Sequence, residues 1–168
     1  MSVVRASKYA ASVDLIDVDD LVEQGVRLVL LDRDNTLVPR DAKVAPPAVS
    51  AWLDRLREAN IALCMVSNNF HSDAVCRSAS ELGLEVVHHA MKPSPVALWV
   101  AMQMMGVPAE QTVLVGDQLF TDVMAGNFAG VRTILVRPQS RKDLWYTQLF
   151  RVAENVFLRG AVFEGEER

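Results

Sequence analysis

The chain has 168 residues, of which 51% are hydrophobic and 23% are charged, and its formal net charge is −4. This size and composition predict one globular domain spanning residues 1–168. The mild acidity and the scattered arginines argue against a nucleic-acid partner, because contacts to phosphates require clustered Lys and Arg side chains.

The N-terminal residues and the cysteines lead us to expect a cytoplasmic protein. The first fifteen residues lack the apolar segment of a signal peptide, and no stretch reaches the ~20 apolar residues that span a bilayer. Cys64 lies within the apolar run "IALCMV" and is interpreted as a small buried side chain rather than as half of a disulfide.

Helix-like stretches alternate with short apolar runs along most of the chain. A helix is predicted over 19–24, and four more over 47–59, 72–82, 95–105 and 119–129. Five strands are predicted over 26–31, 61–66, 85–88, 112–115 and 133–136. Strands that are apolar nearly throughout are typical of a parallel sheet covered by helices. We therefore expect an α/β fold: a doubly wound, Rossmann-like, mostly parallel five-stranded sheet with helices on both faces and a core over about 26–137.

The C-terminal stretch over 141–160 is amphipathic at helical spacing. Trp145, Leu149, Val152 and Val156 share one face of such a helix. This face could pack on the core, as the helix over 19–24 is expected to do. A basic, aromatic helix can also lie on a lipid surface, which would give a peripheral membrane contact. The sequence leaves both interpretations open, and the oligomeric state as well.

Polar residues follow four of the predicted strands. The first strand leads into Asp32-Arg33-Asp34-Asn35-Thr36, the second into Ser67-Asn68-Asn69, the third precedes Lys92, and the fourth leads into Gly116-Asp117 with Asp122 nearby. Ligands of doubly wound sheets bind at the carboxyl ends of the strands. We therefore expect these side chains to converge on one crevice.

This set of groups suits phosphoryl transfer. Two carboxylates ~4 Å apart repel by about 4 kcal/mol at an effective dielectric constant of ~20, so several acids in one pocket require a cation. Oxygen ligands without His or Cys favour Mg²⁺. A lysine and a hydroxyl supply donors for phosphate oxygens, and an aspartate can act as the nucleophile that forms an aspartyl-phosphate.

The motifs resemble those of the haloacid dehalogenase (HAD) superfamily. "LLDRDNTLV" is similar to its DxDxT signature, while Ser67, Lys92 and "GDQLFTD" fall where its second, third and fourth motifs are expected. The D-x-D-N-T-L form and "VSNN" are most similar to the HAD-IIIA, YqeG-like phosphatases, a group that mitochondrial phosphatidylglycerophosphate phosphatase resembles. This resemblance implies an Mg²⁺-dependent phosphomonoester hydrolase.

The resemblance also implies roles for the acidic motifs. Asp32 would be the nucleophile, and Asp34 would protonate the leaving oxygen and then activate the hydrolytic water. Mg²⁺ would be held by Asp32, by the backbone carbonyl of Asp34 and by Asp117. Thr36 would fix the geometry of the loop, and Asp122 would support the metal site.

Three further residues would bind the phosphate. The resemblance implies that Ser67 and the Asn68 amide contact phosphate oxygens, while Lys92 neutralises the nucleophile and the phosphoryl group. His71 lies near the expected crevice and is a candidate substrate contact. The pair His88-His89 is interpreted as structural rather than metal-binding, because adjacent strand residues face opposite sides.

The intervals between the motifs bear on the substrate. Residues 37–46 and 68–91 are too few to hold an inserted cap domain, so we expect an open site that admits a bulky or surface-bound phosphomonoester. The resemblance implies phosphatidylglycerophosphate. Soluble sugar phosphates are an alternative substrate class, and a non-catalytic Mg²⁺-binding protein with the same fold is an alternative function.

Overall fold

The computed structural model describes residues 3–140, 153–154 and 156–166. Its centre is one sheet of six parallel strands, in the order β1-β6-β5-β2-β3-β4. The strands are β1 Lys8–Ala10, β2 Leu28–Leu31, β3 Ala62–Val66, β4 Glu85–Val87, β5 Thr112–Gly116 and β6 Arg132–Val136. The expected doubly wound α/β fold is confirmed, whereas the expected number of five strands is wrong.

The additional strand is β1, at one edge of the sheet. It pairs only with β6 among the described strands, with Lys8 opposite Ile134 and Ala10 opposite Val136. Its three residues, KYA, are too few for a recognisable period, and two of them are only partly buried. The strand therefore lacks the continuous apolar run that marks β2 in the sequence.

The helices occupy the predicted intervals. They are α1 Val18–Glu23, α2 Pro47–Glu58, α3 Ser72–Glu81, α4 Val96–Met105 and α5 Met124–Ala129. The stretch predicted as one helix over 119–129 begins instead as a π-helical turn, Leu119–Val123. Wider turns of this kind are frequent at functional sites, and this one contains Asp122.

The two faces of β2 form the centre of the core. Val29 and Leu31 pack in one cluster that includes Trp52 of α2. Leu28 and Leu30 pack in another on the opposite face, together with side chains of α4 and α5. Because β3 and β5 pair with β2 on either side, the carboxyl end of β2 lies between the carboxyl ends of these two strands.

The two connections at this edge of the sheet, both within the described residues, contain no cap domain. Residues 32–46 join β2 to α2, and α3 is the element between β3 and β4. Residues 28–116 are all described, and within them neither connection contains an inserted domain. This agrees with the expectation of an open site.

Most of the predicted amphipathic helix lies outside the described residues, including Trp145, Leu149 and Val152. Of its described part, Val156 is exposed, while the Glu154 carboxylate is buried and accepts a hydrogen bond from the Leu119 N–H at 2.6 Å. Among the described helices, none is both long enough and apolar enough to cross a bilayer.

Candidate active site

The loop after β2 carries the first motif and is closed by a buried asparagine. Asp32 is buried, and its backbone N–H donates to the Val115 carbonyl of β5 at 2.9 Å. Asn35 then adopts a φ of 63°, in the left-handed region that asparagine tolerates. Its Oδ1 accepts hydrogen bonds from the Arg40 N–H at 3.0 Å and the Ser140 hydroxyl at 2.8 Å. These contacts hold the chain in the turn that follows Asp32.

Lys92 extends into the same edge of the sheet from the loop after β4. Its Nζ donates to Asp32 Oδ1 at 2.7 Å and to the Val66 carbonyl at 2.8 Å. An ion pair of 2.6 Å joins it to Asp122 Oδ1, and its side chain is almost wholly buried. The ammonium group is therefore fixed between two acidic side chains.

Three buried carboxylates form a cluster that could hold a metal ion. One oxygen each of Asp32, Asp117 and Asp122 lies within 4.8 Å of the other two. Asp122 is brought close by Gly116, because a Cβ at position 116 would overlap the carboxyl carbon of Asp122. The Thr36 hydroxyl donates to Asp117 Oδ1 at 3.4 Å, which links the first motif to the fourth.

Burial and the neighbouring charges together shift the pKa values in this cluster. Loss of hydration raises the pKa of Asp32 to about 7; the negative charges of Asp122 and Asp34 add to the rise, while Lys92 opposes it. For Lys92, burial alone would lower the pKa, but the charges of Asp122 and Asp32 outweigh it and the pKa is raised. The lysine is a cation, and the three acids together exceed its charge.

The Asp34 carboxylate lies outside this cluster and is held by other residues. Asn69 Nδ2 donates to its Oδ2 at 2.9 Å, and the Arg33 guanidinium pairs with its Oδ1. Arg40 lies 3.8 Å from Oδ2. Sequence reasoning missed all three of these partners. Asp34 as a metal ligand through its backbone carbonyl stays a prediction.

The second motif supports the lysine loop. Both side-chain atoms of Asn68 bind the backbone of Lys92: Oδ1 accepts from its N–H at 2.7 Å and Nδ2 donates to its carbonyl at 2.9 Å. Ser67 is buried, and its Oγ accepts from the Asn69 N–H at 3.1 Å. The side chain of Asn68 is thus committed to the loop, which leaves its backbone N–H as the amide for the predicted phosphate contact.

The histidines lie at the exposed rim of this edge. His71 precedes α3 and lines a groove of about 600 Å³. The rings of His88 and His89 meet edge to face at 4.8 Å, because His89 lies beyond β4 with a φ of 53° and does not follow the strand alternation. In the part of the chain that the structure describes, the aspartate cluster is the group arranged to hold a metal.

Comparison with known proteins identifies the family. Residues 89–151 match the family described as HAD-hyrolase-like. The chain is also 34% identical over 151 residues to "Probable phosphatase YqeG" of Bacillus subtilis (strain 168), an alignment that covers 90% of this chain and 87% of that protein. The chain belongs to the HAD-like phosphatases. The predicted membership of the HAD superfamily is thereby confirmed.

Two further relatives of this HAD-like phosphatase are informative. "Phosphatidylglycerophosphate phosphatase 1, chloroplastic/mitochondrial" of Arabidopsis thaliana is 27% identical over 136 residues, which cover 76% of this chain but only 39% of that protein. The solved structure of 4-nitrophenylphosphatase from Thermotoga maritima superposes with a TM-score of 0.60 at 16% identity, covering 72% of this chain and 89% of that one. The latter likeness concerns the fold alone.

Proposed function

We propose that this HAD-like phosphatase is an Mg²⁺-dependent phosphomonoester hydrolase that acts through an aspartyl-phosphate and takes phosphatidylglycerophosphate as its substrate. The observation that carries the catalytic part is the position of Lys92 Nζ, 2.7 Å from Asp32 Oδ1. A buried ammonium beside a buried carboxylate, next to further acids, provides a nucleophile together with charge for the phosphoryl oxygens.

The donor set fits a hard divalent cation. Asp32, Asp117 and Asp122 offer only oxygen atoms, and their charge exceeds that of Lys92. We propose that Asp32, Asp117 and the backbone carbonyl of Asp34 hold Mg²⁺, with Asp122 in support through its contact with Lys92. When bound, the ion supplies positive charge for the carboxylates and for the transferring phosphoryl group.

In the first chemical step, an oxygen of Asp32 attacks phosphorus and the bond to the ester oxygen breaks. Asp34 donates its proton to the leaving oxygen. Lys92 and the Ser67 hydroxyl bind the equatorial phosphoryl oxygens, with the Asn68 N–H as a further donor. The products of this step are the free alcohol and a phosphorylated Asp32.

In the second step, a water molecule attacks the phosphorus of the aspartyl-phosphate. Asp34, now ionised, takes the proton of this water, and the bond between phosphorus and Asp32 breaks to release inorganic phosphate. The contacts from Asn69 and Arg33 hold the Asp34 carboxylate in one orientation for both proton transfers. Asp32 returns to its starting state.

Two observations support a lipid phosphate as the substrate. The connections around the site hold no inserted domain in residues 28–116, so a bulky ester has access. The relative from Arabidopsis thaliana is named for phosphatidylglycerophosphate.

The test is release of inorganic phosphate from a panel of monoesters, with Mg²⁺ and with EDTA. We expect turnover of phosphatidylglycerophosphate to exceed that of soluble sugar phosphates, to require Mg²⁺, and to be lost in Asp32→Asn. The matched control is Asp54→Asn, an exposed acid of α2. Preference for a sugar phosphate would replace the proposed substrate. An absence of turnover on every ester would favour a non-catalytic Mg²⁺-binding protein.

A further inference from the structure

Two large apolar side chains stand exposed beside the active site. Phe70 is 77% exposed and Met91 is 72% exposed, the highest values among the large hydrophobic residues that the structure describes. Phe70 directly follows Asn69, which binds Asp34, and Met91 directly precedes Lys92. We refer to Phe70 and Met91 as the rim pair.

The rim pair is presented by two loops that are tied together. The Ala90 N–H donates to the Ser67 carbonyl at 2.9 Å, and Asn68 binds the backbone of Lys92. Phe70 also packs on the His89 ring, at 5.6 Å between centroids. The two loops that carry the rim pair are therefore held beside the active site by the same contacts that position Lys92.

The backbone at Met91 is unusual for a residue that contributes little to the core. Its φ is 53°, in the left-handed region, where a bulky side chain is uncommon and unfavourable. The exposed thioether gains no burial that would offset this conformation. With this backbone conformation Met91 is exposed, and the next residue, Lys92, is buried.

Two grooves in the described part of the protein differ in charge. The groove beside Phe70 is lined by His71 and Arg77 against one acid, Asp73. A groove of about 710 Å³ near the start of β1 and β6 is lined by five acidic side chains against two basic ones, namely Asp17, Asp19, Asp20, Glu23 and Glu164 against Lys8 and Arg132. An anionic surface therefore repels the acidic groove more strongly than the groove beside Phe70.

We propose that the rim pair is the surface through which this protein contacts an anionic phospholipid bilayer that carries its substrate. The inference rests on the proposed lipid phosphate. Aromatic and thioether side chains can enter the boundary between head groups and acyl chains, as on interfacial helices. With Phe70 and Met91 inserted there, a phosphate head group can reach Asp32 while the acyl chains stay in the bilayer.

The test compares two matched double variants. The rim variant is Phe70→Gln with Met91→Gln. The control is Phe128→Gln with Met104→Gln, which are 47% and 50% exposed and lie near the C-terminal ends of α5 and α4. Because these helices run antiparallel to the strands, the control residues lie toward the opposite edge. Each protein is floated with vesicles of phosphatidylcholine, with and without phosphatidylglycerol, and assayed on soluble 4-nitrophenyl phosphate.

We expect the wild type to bind the vesicles that contain phosphatidylglycerol. The rim variant should bind these vesicles with an affinity lower by about tenfold or by a larger factor. Both double variants should turn over 4-nitrophenyl phosphate as the wild type does. Wild-type protein that ignores the vesicles, or a rim variant that binds like the wild type, overturns the proposal. A rim variant that instead shifts a self-association equilibrium in sedimentation assigns the surface to a second copy and also overturns it.

The same proteins separate this inference from the proposed function. If the rim variant hydrolyses vesicle-borne phosphatidylglycerophosphate as fast as the wild type, the substrate is supported and the surface is refuted. If the wild type binds vesicles through the rim pair but does not hydrolyse this lipid, the substrate is refuted while the bilayer contact is supported.

Discussion

Replacing Asp117 by asparagine should make the metal-free protein more stable and remove most of its response to Mg²⁺. Asp117 is buried with Asp32 and Asp122, and one oxygen of each lies within 4.8 Å of the others. Asparagine has nearly the same shape and keeps an acceptor for the Thr36 hydroxyl, 3.4 Å from Asp117 Oδ1. The substitution therefore removes mainly one negative charge.

The size of the effect follows from these distances. Two unit charges 4.8 Å apart repel by about 3.5 kcal/mol at an effective dielectric constant of about 20, and Asp117 takes part in two such repulsions. Lys92 offsets part of this energy, and Asp32, with a pKa raised to about 7 by burial, carries a proton part of the time at neutral pH. We expect the free energy of unfolding to rise by about 1–3 kcal/mol, or roughly 2–10 °C in Tm.

Thermal denaturation in EDTA and in excess Mg²⁺ measures both parts of this prediction. Mg²⁺ at about 100 times its Kd should stabilise the wild type by about 2.7 kcal/mol, and Asp117→Asn much less. Asp54→Asn, at an exposed site in α2, controls for the loss of one carboxylate. A lower Tm of Asp117→Asn in EDTA would refute the repulsion argument. An unchanged Mg²⁺ response would refute the assignment of Asp117 to the metal site.

Three further predictions follow from single contacts. Asn69→Ala should lower kcat about tenfold, because its amide holds Asp34 Oδ2 at 2.9 Å; an unchanged kcat in phosphate-release assays would exclude this positioning role. Gly116→Ala should destabilise the protein by about 1–3 kcal/mol, because its Cβ would overlap the Asp122 carboxyl carbon. Gly106→Ala is the control in open space, where only the backbone conformation at φ 66° should matter, by about 1 kcal/mol; equal losses in chemical denaturation would refute the overlap. A thiol reagent should modify exposed Cys76 in the native protein and spare Cys64, whose burial raises its pKa to about 12; reaction of both thiols before denaturation would contradict this.

Apolar runs explain which strands could be predicted from the sequence. β2 to β6 agree with the predicted ranges within two residues at each end. β2, β3, β5 and β6 are buried almost throughout and form apolar runs, whereas β4, which has no fully buried residue, is marked by Val86 and Val87. β1 is as short as β4, and its sequence KYA contains no β-branched residue, so it carries no comparable signal. The π-helical turn at Leu119 contains Asp122, which packs against Gly116, and no local periodicity records this contact.

The sequence predicts those site residues that come shortly after a strand. Asp32, Lys92 and Asp117 each come shortly after a strand, and parallel strands bring such positions to one edge. The partners of Asp34 are different, because they depend on the path of a loop. Asn69 reaches Asp34 across the turn after β3, and that encounter follows from tertiary structure rather than from spacing.

In the loop after β4, the adjacent residues Met91 and Lys92 have opposite environments: Met91 is exposed and Lys92 is buried. Lys92 is buried where its charge offsets Asp32, at the end of β2, and Asp122, in the turn after β5. Met91 is then left outside with a left-handed backbone. A substitution of Met91 therefore changes the exposed surface beside the site, whereas a substitution of Lys92 changes the charge inside the site. Because the two side chains share a loop but not an environment, contact with a surface and catalysis can be measured independently.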